Sequence, residues 1–454
     1  MFIHQQKIGI WGLGIVGKAT LEYFIPYKNT LSVMDKQFPN NQNKEFLNKN
    51  NITFYHENDL SSFFAKNDLV LASPGINHPT LQKYKHKLIS ELDLFENNYK
   101  KLKIAITGTV GKTTITTILG ELLNKSMNIS IGGNIGTGML SLVNQQQNND
   151  GALLELSSFQ LIQSKKFAPD LAILTNFHPN HLDWHASEKE YFLAKTNIFN
   201  KQNNNQKALF PLNLITKLIP FYKPTSNWHF FTTNKKECNR YKNEIKQYAQ
   251  TVFYRENNQF LKWENNRTTP LLDTQTIPEI SFIENWLIIC AALHLLKQKI
   301  DAKLLNSVNV KIPEHRLEKI TEYNGIDIYN DSKATTIQST QAAINKLKKR
   351  PIVLILGGID KGVDRTDFIK DLDDAIKLII CFGTEKEKLA SICKKYNKNY
   401  YAYNSLEQAV KTSLQNATTN DQILFSPSGA SFDQFKNYEE RGSCFKKLVK
   451  NLIS

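Results

Sequence analysis

The residues AITGTVGKTT (105–114) place a glycine-bracketed turn between an apolar run and a helix-forming one. A buried strand that enters a Gly-rich loop and leaves as a helix points its free amides at one spot, which suits a phosphate. A Walker A loop, G-x-x-x-x-G-K-[ST], needs glycine at position 106. Ile106 stands there, inside the apolar run, and the first available glycine is Gly108. Lys112 still offers a charge to phosphate oxygens, and Thr113 a hydroxyl to Mg²⁺. The stretch is a damaged loop, a chance GKT, or a shortened form of the same device.

The surroundings favour a parallel α/β chain, because strand-like apolar runs alternate with helical patterns from end to end. KIGIWGLG, LSVMD and DLVLASPGI read as strands and turns of a first unit. LKIAITG, GALLELSS and LAILTNF belong to a second, which the helical run ENWLIICAALHLLKQ closes. IDIYNDS, PIVLILGG, KLIICFG and DQILFSPS make a third. The boundaries fall near residues 98 and 299, giving units 1–98, 99–298 and 299–454. Polar VNQQQNND and NKQNNNQK read as surface loops.

Composition excludes more than it selects. A hydrophobic share of 41 %, with 26 Phe and 17 Tyr among 454 residues, supplies a globular core. No apolar run is long enough to span a bilayer, and the chain enters a strand with no leader pattern. Five scattered cysteines without a C-x-x-C pair are expected to be reduced, in a cytoplasmic protein. The net charge of +15 comes from Lys spread among Asn rather than massed in a stripe. No nucleic-acid partner is therefore expected, and the charge equally suits polyanionic small substrates.

Three further patterns carry chemistry. GLGIVG (12–17) fits G-x-G-x-x-G, with Asp35 at the end of the next strand. That spacing admits NAD as readily as another diphosphate, including that of a UDP-sugar. Glu155 ends a buried strand, where a carboxylate can hold Mg²⁺ opposite a phosphate loop. TNFHPNHLDWH gathers His178, His181 and His185, a weak zinc spacing that better suits one hard-metal or substrate ligand. Lys195 lies on a half-apolar helix face behind a Ser187–Glu190 capping box, where a lysine ordinarily snorkels to water.

Taken together, the motifs resemble the Mur ligases and their folylpolyglutamate synthase relatives, whose phosphate loop runs T-G-T-N-G-K-[ST]-[ST]. The resemblance continues through GGNIG, LELSSFQL, NFHPNHLDWH, AKTNIF, PEHRLE, NDSKAT, LGGIDKG and SPSGASFDQFKNYEERG, in family order over all three units. It implies a three-domain α/β architecture: a Rossmann-like N-terminal domain, a central P-loop ATPase-type domain and a Rossmann-like C-terminal domain. The ending, with GLGIVG and VLASPGI, is similar to the family member that adds D-glutamate to UDP-N-acetylmuramoyl-L-alanine. Two positions depart from the pattern: Val110 replaces the loop Asn, and SFIEN keeps only Asn285 of H-N-x-x-N.

The implied activity is ATP-driven amide formation through an acyl phosphate, in peptidoglycan precursor synthesis, by a monomer that does not enter the membrane. The implied nucleotide site is Gly108, Thr109, Val110, Gly111, Lys112, Thr113, Thr114, Asn285, Arg316, Asp331 and Lys333. Two Mg²⁺ ions are assigned to Thr113, Glu155, His181 and Lys195, the last as a CO₂-derived carbamate. Gly14, Ile15, Val16, Asp35, Lys36 and Gly75 fall where the uridine nucleotide is held, with Asn134, Ser157 and Gln160 toward the sugar-peptide. Thr335, Ser431, Phe432 and Tyr438 match the acceptor pocket for the amino acid. Lys112, His181, Lys195 and Lys361 form the catalytic set, with Asp331 to Thr335 and Lys361 closing over the site. The role of His315 stays open. The alternatives are a relative that adds a different amino acid and an NAD-dependent oxidoreductase built on the N-terminal motif.

Overall fold

The structure, a computed structural model, describes residues 4–76, 78–278, 280–309 and 314–453. Its first sheet is parallel, in the order β3-β2-β1-β4, from β1 (Lys7–Trp11), β2 (Thr30–Asp35), β3 (Thr53–His56) and β4 (Leu69–Ala72). The second is mixed. It contains β5 (Leu102–Thr107), β6 (Ile129–Gly133), β7 (Gly151–Glu155), β8 (Leu171–Leu174), β9 (Lys207–Pro211), β10 (Asn227–Thr232), β11 (Thr251–Glu256), β12 (Gln259–Glu264) and β13 (Arg267–Asp273). Their order is β13-β12-β11-β10-β9-β8-β5-β7-β6. The third sheet, β14-β15-β19-β16-β17-β18, uses β14 (Glu318–Tyr323), β15 (Ile326–Asn330), β16 (Ile352–Gly357), β17 (Ile376–Phe382), β18 (Tyr400–Tyr403) and β19 (Gln422–Phe425). Two compact units result: Met1–Phe177 with Lys189–Val310, and His178–Glu188 with Lys311–Ser454.

The central strands read as near-continuous apolar runs because both faces are covered. Successive residues of β5 and β7 feed opposite cores: Ile104, Ile106 and Leu153 enter one, Ala105 and Leu154 the other. The helix Ile283–Leu295 lies against the first of these cores. It is apolar on nearly every side, so burial and not amphipathicity holds it. The first sheet's helix Ile15–Phe24 meets the helix Met139–Gln145 closely, and a Cβ on Gly138 would lie 2.5 Å from that of Ala19.

The antiparallel meander β11-β12-β13 has no counterpart in the sequence reading. Its turns are Asn-rich and carry left-handed backbone at Asn257, Asn265 and Asn266. Asn tolerates that region, which lets the chain reverse without the Gly that flags most hairpins.

One buried carboxyl beside this framework has only the Met139 and Leu140 amides near it. Both carboxyl oxygens of Glu91, the first residue of the helix Glu91–Asn98, are buried without a partner. Burial raises its pKa to about 8, against the pull of the Met139 and Leu140 amides. Between pH 4.5 and 8 the folded chain then holds a proton that the unfolded chain has lost, so Glu91 erodes stability as pH rises through that window. Glu91→Gln, neutral throughout, should unfold at the same urea concentration as the parent near pH 4.5. Near pH 8.5 it should be more stable by about 2–4 kcal/mol, from the conversion between pKa and free energy.

Candidate functional site

The phosphate loop leaves β5 at Thr107 and re-enters regular structure at Lys112, the first residue of the helix Lys112–Leu123. Two glycines bend it, Gly108 at φ +150° and Gly111 at φ +86°. A Cβ on Gly108 would lie 2.0 Å from Thr175 Oγ1, so the position accepts no side chain. Val110 is held across the loop by Asn176, to which the sequence reading gave no role. Asn176 Oδ1 accepts from the amides of Thr109 at 3.1 Å and Val110 at 2.9 Å, and its Nδ2 donates to Val110 O at 3.0 Å. Thr175 Oγ1 donates to the same carbonyl at 2.7 Å. Asn285, from the helix Ile283–Leu295, sits over Gly111, its Oδ1 3.1 Å from where a Cβ would stand.

Lys112 and Lys195 converge on one acceptor. Lys112 Nζ donates to Gly108 O at 2.9 Å and Thr109 O at 3.1 Å, and Lys195 Nζ donates to Gly108 O at 2.8 Å. Lys195 is therefore no snorkelling residue: it is only 2 % exposed, with its amine 4.6 Å from the Tyr191 ring centre. Burial holds its pKa well below the lysine range. The charge of Lys112 lowers it further, and Glu155 opposes both.

Glu155 ends β7 between β5 and β6 and is 1 % exposed. Its Oε1 accepts from Asn134 Nδ2 at 3.1 Å, while its Oε2 is buried without a partner. Asn134 is fixed by its amide, which donates to Glu155 O at 2.8 Å. Gly133 makes that approach possible, for a Cβ there would lie 2.3 Å from the same oxygen. Ser157 and Gln160 cap the next helix reciprocally, so Gln160 Oε1 is engaged by the Ser157 amide and hydroxyl.

In the first sheet, Gly14 is the N-cap of the helix Ile15–Phe24, with Ile15 exposed and Val16 on the following turn. Gly17 packs on Gly12, where a Cβ would collide with the Gly12 carbonyl at 1.8 Å. Asp35 does structural work here: its carboxylate accepts from the Leu13 amide at 2.7 Å and the Gln37 amide at 3.0 Å. Lys36 follows it, and Gly75 lies in the turn after β4.

The second unit holds the remaining candidates. His181 opens a tight turn, at φ +55°, whose carbonyl accepts from the amides of Trp184 and His185. Asp331 is buried, accepting from the Leu317 amide at 3.0 Å and Ser426 Oγ at 2.7 Å. Burial raises its pKa to about 7, against those bonds and the charge of Arg316. Lys333 Nζ lies 5.2 Å from the Tyr438 ring centre, and the Thr335 amide donates to Lys333 O. Ser431 is buried and Phe432 is 71 % exposed. Lys361 is at φ +54°. His315, left open by the sequence, is a packing residue. Its ring nitrogen Nδ1 lies 2.9 Å from Asn330 Nδ2, and its ring fills the space a Cβ on Gly442 would need.

Losing the Asn176 side chain frees the Val110 amide and leaves the Thr109 amide and the Val110 carbonyl with one partner each. Asn176→Ala should raise the KM for ATP about tenfold or more, read from initial rates at varied ATP.

Comparison with known proteins agrees with this arrangement. Residues 6–91 match the Mur ligase MurD-like N-terminal domain, 106–290 the Mur ligase middle domain, and 315–429 the Mur ligase glutamate ligase domain. The UDP-N-acetylmuramoylalanine--D-glutamate ligase of Thermoanaerobacter pseudethanolicus is 31 % identical over 100 % of both chains. That of Ruminiclostridium cellulolyticum is 29 % identical over 99 % of this chain and 97 % of its own. Among solved structures, the MurF ligase from Thermotoga maritima in complex with ADP aligns with a TM-score of 0.58 at 16 % identity, over 99 % of this chain and 96 % of that one. The fold is thus shared even where sequence has diverged. With its three sheets, its shortened phosphate loop and full-length relatives above 30 % identity, the chain belongs to the Mur ligase family.

Proposed function

We propose that the chain is an ATP-dependent ligase that joins D-glutamate to UDP-N-acetylmuramoyl-L-alanine, a step in peptidoglycan precursor synthesis. The observation that carries this reading is the joint presence of a phosphate loop, a buried carboxylate with one partnerless oxygen and a buried low-pKa lysine, in a chain whose full-length relatives bear that ligase name. An oxidoreductase would leave all three without a purpose.

In this reading the loop amides and Lys112 cradle the ATP phosphates. The substrate carboxylate takes the γ-phosphoryl group to give an acyl phosphate and ADP. The amine of D-glutamate then attacks the acyl carbon, and phosphate leaves with the C–O bond that breaks. Such transfer needs positioning and charge neutralisation more than covalent help. The donor set suits Mg²⁺: Glu155 Oε2 is a buried oxygen with no proton donor, and Thr113 is the second residue of the loop helix. Thr113, Glu155 and a carbamylated Lys195 would hold the metal, which when bound neutralises phosphate charge.

Local electrostatics support a carbamate on Lys195. Two lysine amines share the Gly108 carbonyl, and burial holds the pKa of Lys195 well below the lysine range, which favours loss of its proton. Its lone pair can add to CO₂ with loss of one proton, which turns a repulsive neighbour of Lys112 into an attractive one. Arg316, Asp331, Lys333, Thr335 and Lys361 are assigned to reactant binding. Ser431, Phe432 and Tyr438 are assigned to the incoming amino acid, and the N-terminal glycine turn with Asp35 and Lys36 to the uridine diphosphate. No helix among the described residues is long and apolar enough to cross a membrane. A cytoplasmic site of action follows from the nucleotide substrates.

The test is ATP-dependent phosphate release with UDP-N-acetylmuramoyl-L-alanine, with and without D-glutamate. Release that needs both, and a product one glutamyl residue heavier, is the expected result; equal rates with L-glutamate would overturn the choice of amino acid. Lys195→Ala should fold normally and lose turnover by about a thousandfold or more. A ¹³C carbamate signal should appear in the parent supplied with labelled bicarbonate and be missing from that variant.

A further inference from the structure

Two fully buried guanidinium groups, Arg365 and Arg441, lie at the carboxyl edge of the third sheet. Arg441 uses all three nitrogens. Its Nε donates to Ser332 Oγ at 3.0 Å, its Nη1 to Gly429 O at 3.0 Å and its Nη2 to Ser332 O at 2.7 Å. Arg365 donates from Nη1 to Gly357 O at 3.4 Å and from Nη2 to Gly358 O at 3.1 Å. The Glu385 carboxylate stands 4.0 Å from it, and Arg365 Nε is buried without a partner.

The two groups interlock a pair of loops. Ile359 and Ala430 exchange backbone hydrogen bonds of 2.9 and 2.8 Å. Lys361 follows that bridge by two residues and Ser431 by one. Each arginine binds the carbonyl of one loop and touches the glycine of the other. A Cβ on Gly429 would lie 2.4 Å from Arg365 Nη2, and one on Gly358 would lie 2.9 Å from Arg441 Nη1. A planar guanidinium can hold two carbonyls at a fixed angle, whereas an apolar side chain would leave them buried and unpaired. A buried cation whose closest carboxylate is 4.0 Å away is costly, which is tolerable where geometry matters more than stability.

We propose that Arg365 is a positioning residue for the ligase reaction: with Arg441 it locks the 357–361 and 428–431 loops in register, presenting Lys361 and Ser431 together to the incoming amino acid. The inference rests on the D-glutamate reading above. Arg441 belongs to a recognisable terminal motif, but Arg365 acts only through this interlock.

The test uses the full chain carrying Arg365→Met or Arg365→Lys, with D-glutamate and UDP-N-acetylmuramoyl-L-alanine titrated separately in the phosphate-release assay. Arg365→Met should raise the KM for D-glutamate about tenfold or more, with the KM for the uridine substrate changed by less than about twofold. Arg365→Lys should fall between, because an ammonium keeps the charge but not the fork. A merely structural arginine would lower the melting temperature and leave both Michaelis constants of the folded enzyme unchanged, which overturns the proposal. If Arg365→Met does not fold, parental constants in Arg365→Lys overturn it instead. A parent chain with no D-glutamate-dependent release overturns the function reading and with it this role. Parental turnover with unchanged variant constants overturns the positioning role alone.

Discussion

The carbonyl of Gly108 accepts from two lysine amines, and much of the first unit is arranged around that contact. A peptide oxygen has lone pairs for two donors, but two ammonium groups so close repel each other strongly in a buried setting. The conflict is eased in one of two ways: an amine gives up its proton, or an anion joins it. Burial selects Lys195 for the first, and a phosphate or a carbamate supplies the second. For the oxygen to face both amines, residue 108 must take a backbone conformation reserved for glycine, packed against Thr175. The loop must also stay open without a ligand, and Asn176 ties its amides to do so.

That tie bears on the Val110 departure. An Asn in the loop itself could brace its own backbone, as Asx turns do. Here the brace comes from the end of the neighbouring strand, β8, where Thr175 and Asn176 hold both the amide and the carbonyl of Val110. The loop keeps its shape although its sequence has changed. Geometry at this site is therefore a property of two adjacent strand ends, and reading one of them cannot reveal it.

The same distinction separates what was legible from what was not. The inner strands and the helix Ile283–Leu295 announce themselves because burial on all sides demands unbroken apolar runs. The meander β11-β12-β13 does not, since Asn-based turns look like the Asn-rich loops elsewhere in the chain. Lys112 and Glu155 are marked by the loop and the strand end they occupy, and Lys195 only by the family pattern. The physical reason Lys195 is unusual, its burial against a second lysine, exists only in three dimensions. Asn176 acts through amides and a carbonyl far away in sequence, and Arg365 through two nearby carbonyls and a distant glycine, and no local spacing marks such partners.

Strain follows function in a way composition also hides. Many non-glycine residues with left-handed backbone are Asn in solvent-facing turns, where the cost is small. His181, His315, Leu317, Lys361 and Ser428 are different: all fall inside or beside the motifs assigned to the reaction. Each such residue costs on the order of 1 kcal/mol or more, and persists only where surrounding contacts over-determine it. For Ser428 those contacts are on view. It precedes Gly429, whose carbonyl Arg441 holds, and Gly429 is pressed against Arg365. A buried cation that itself destabilises the fold thus maintains a backbone that does the same. Two unfavourable terms kept in one place are best explained by a geometry that the chemistry requires.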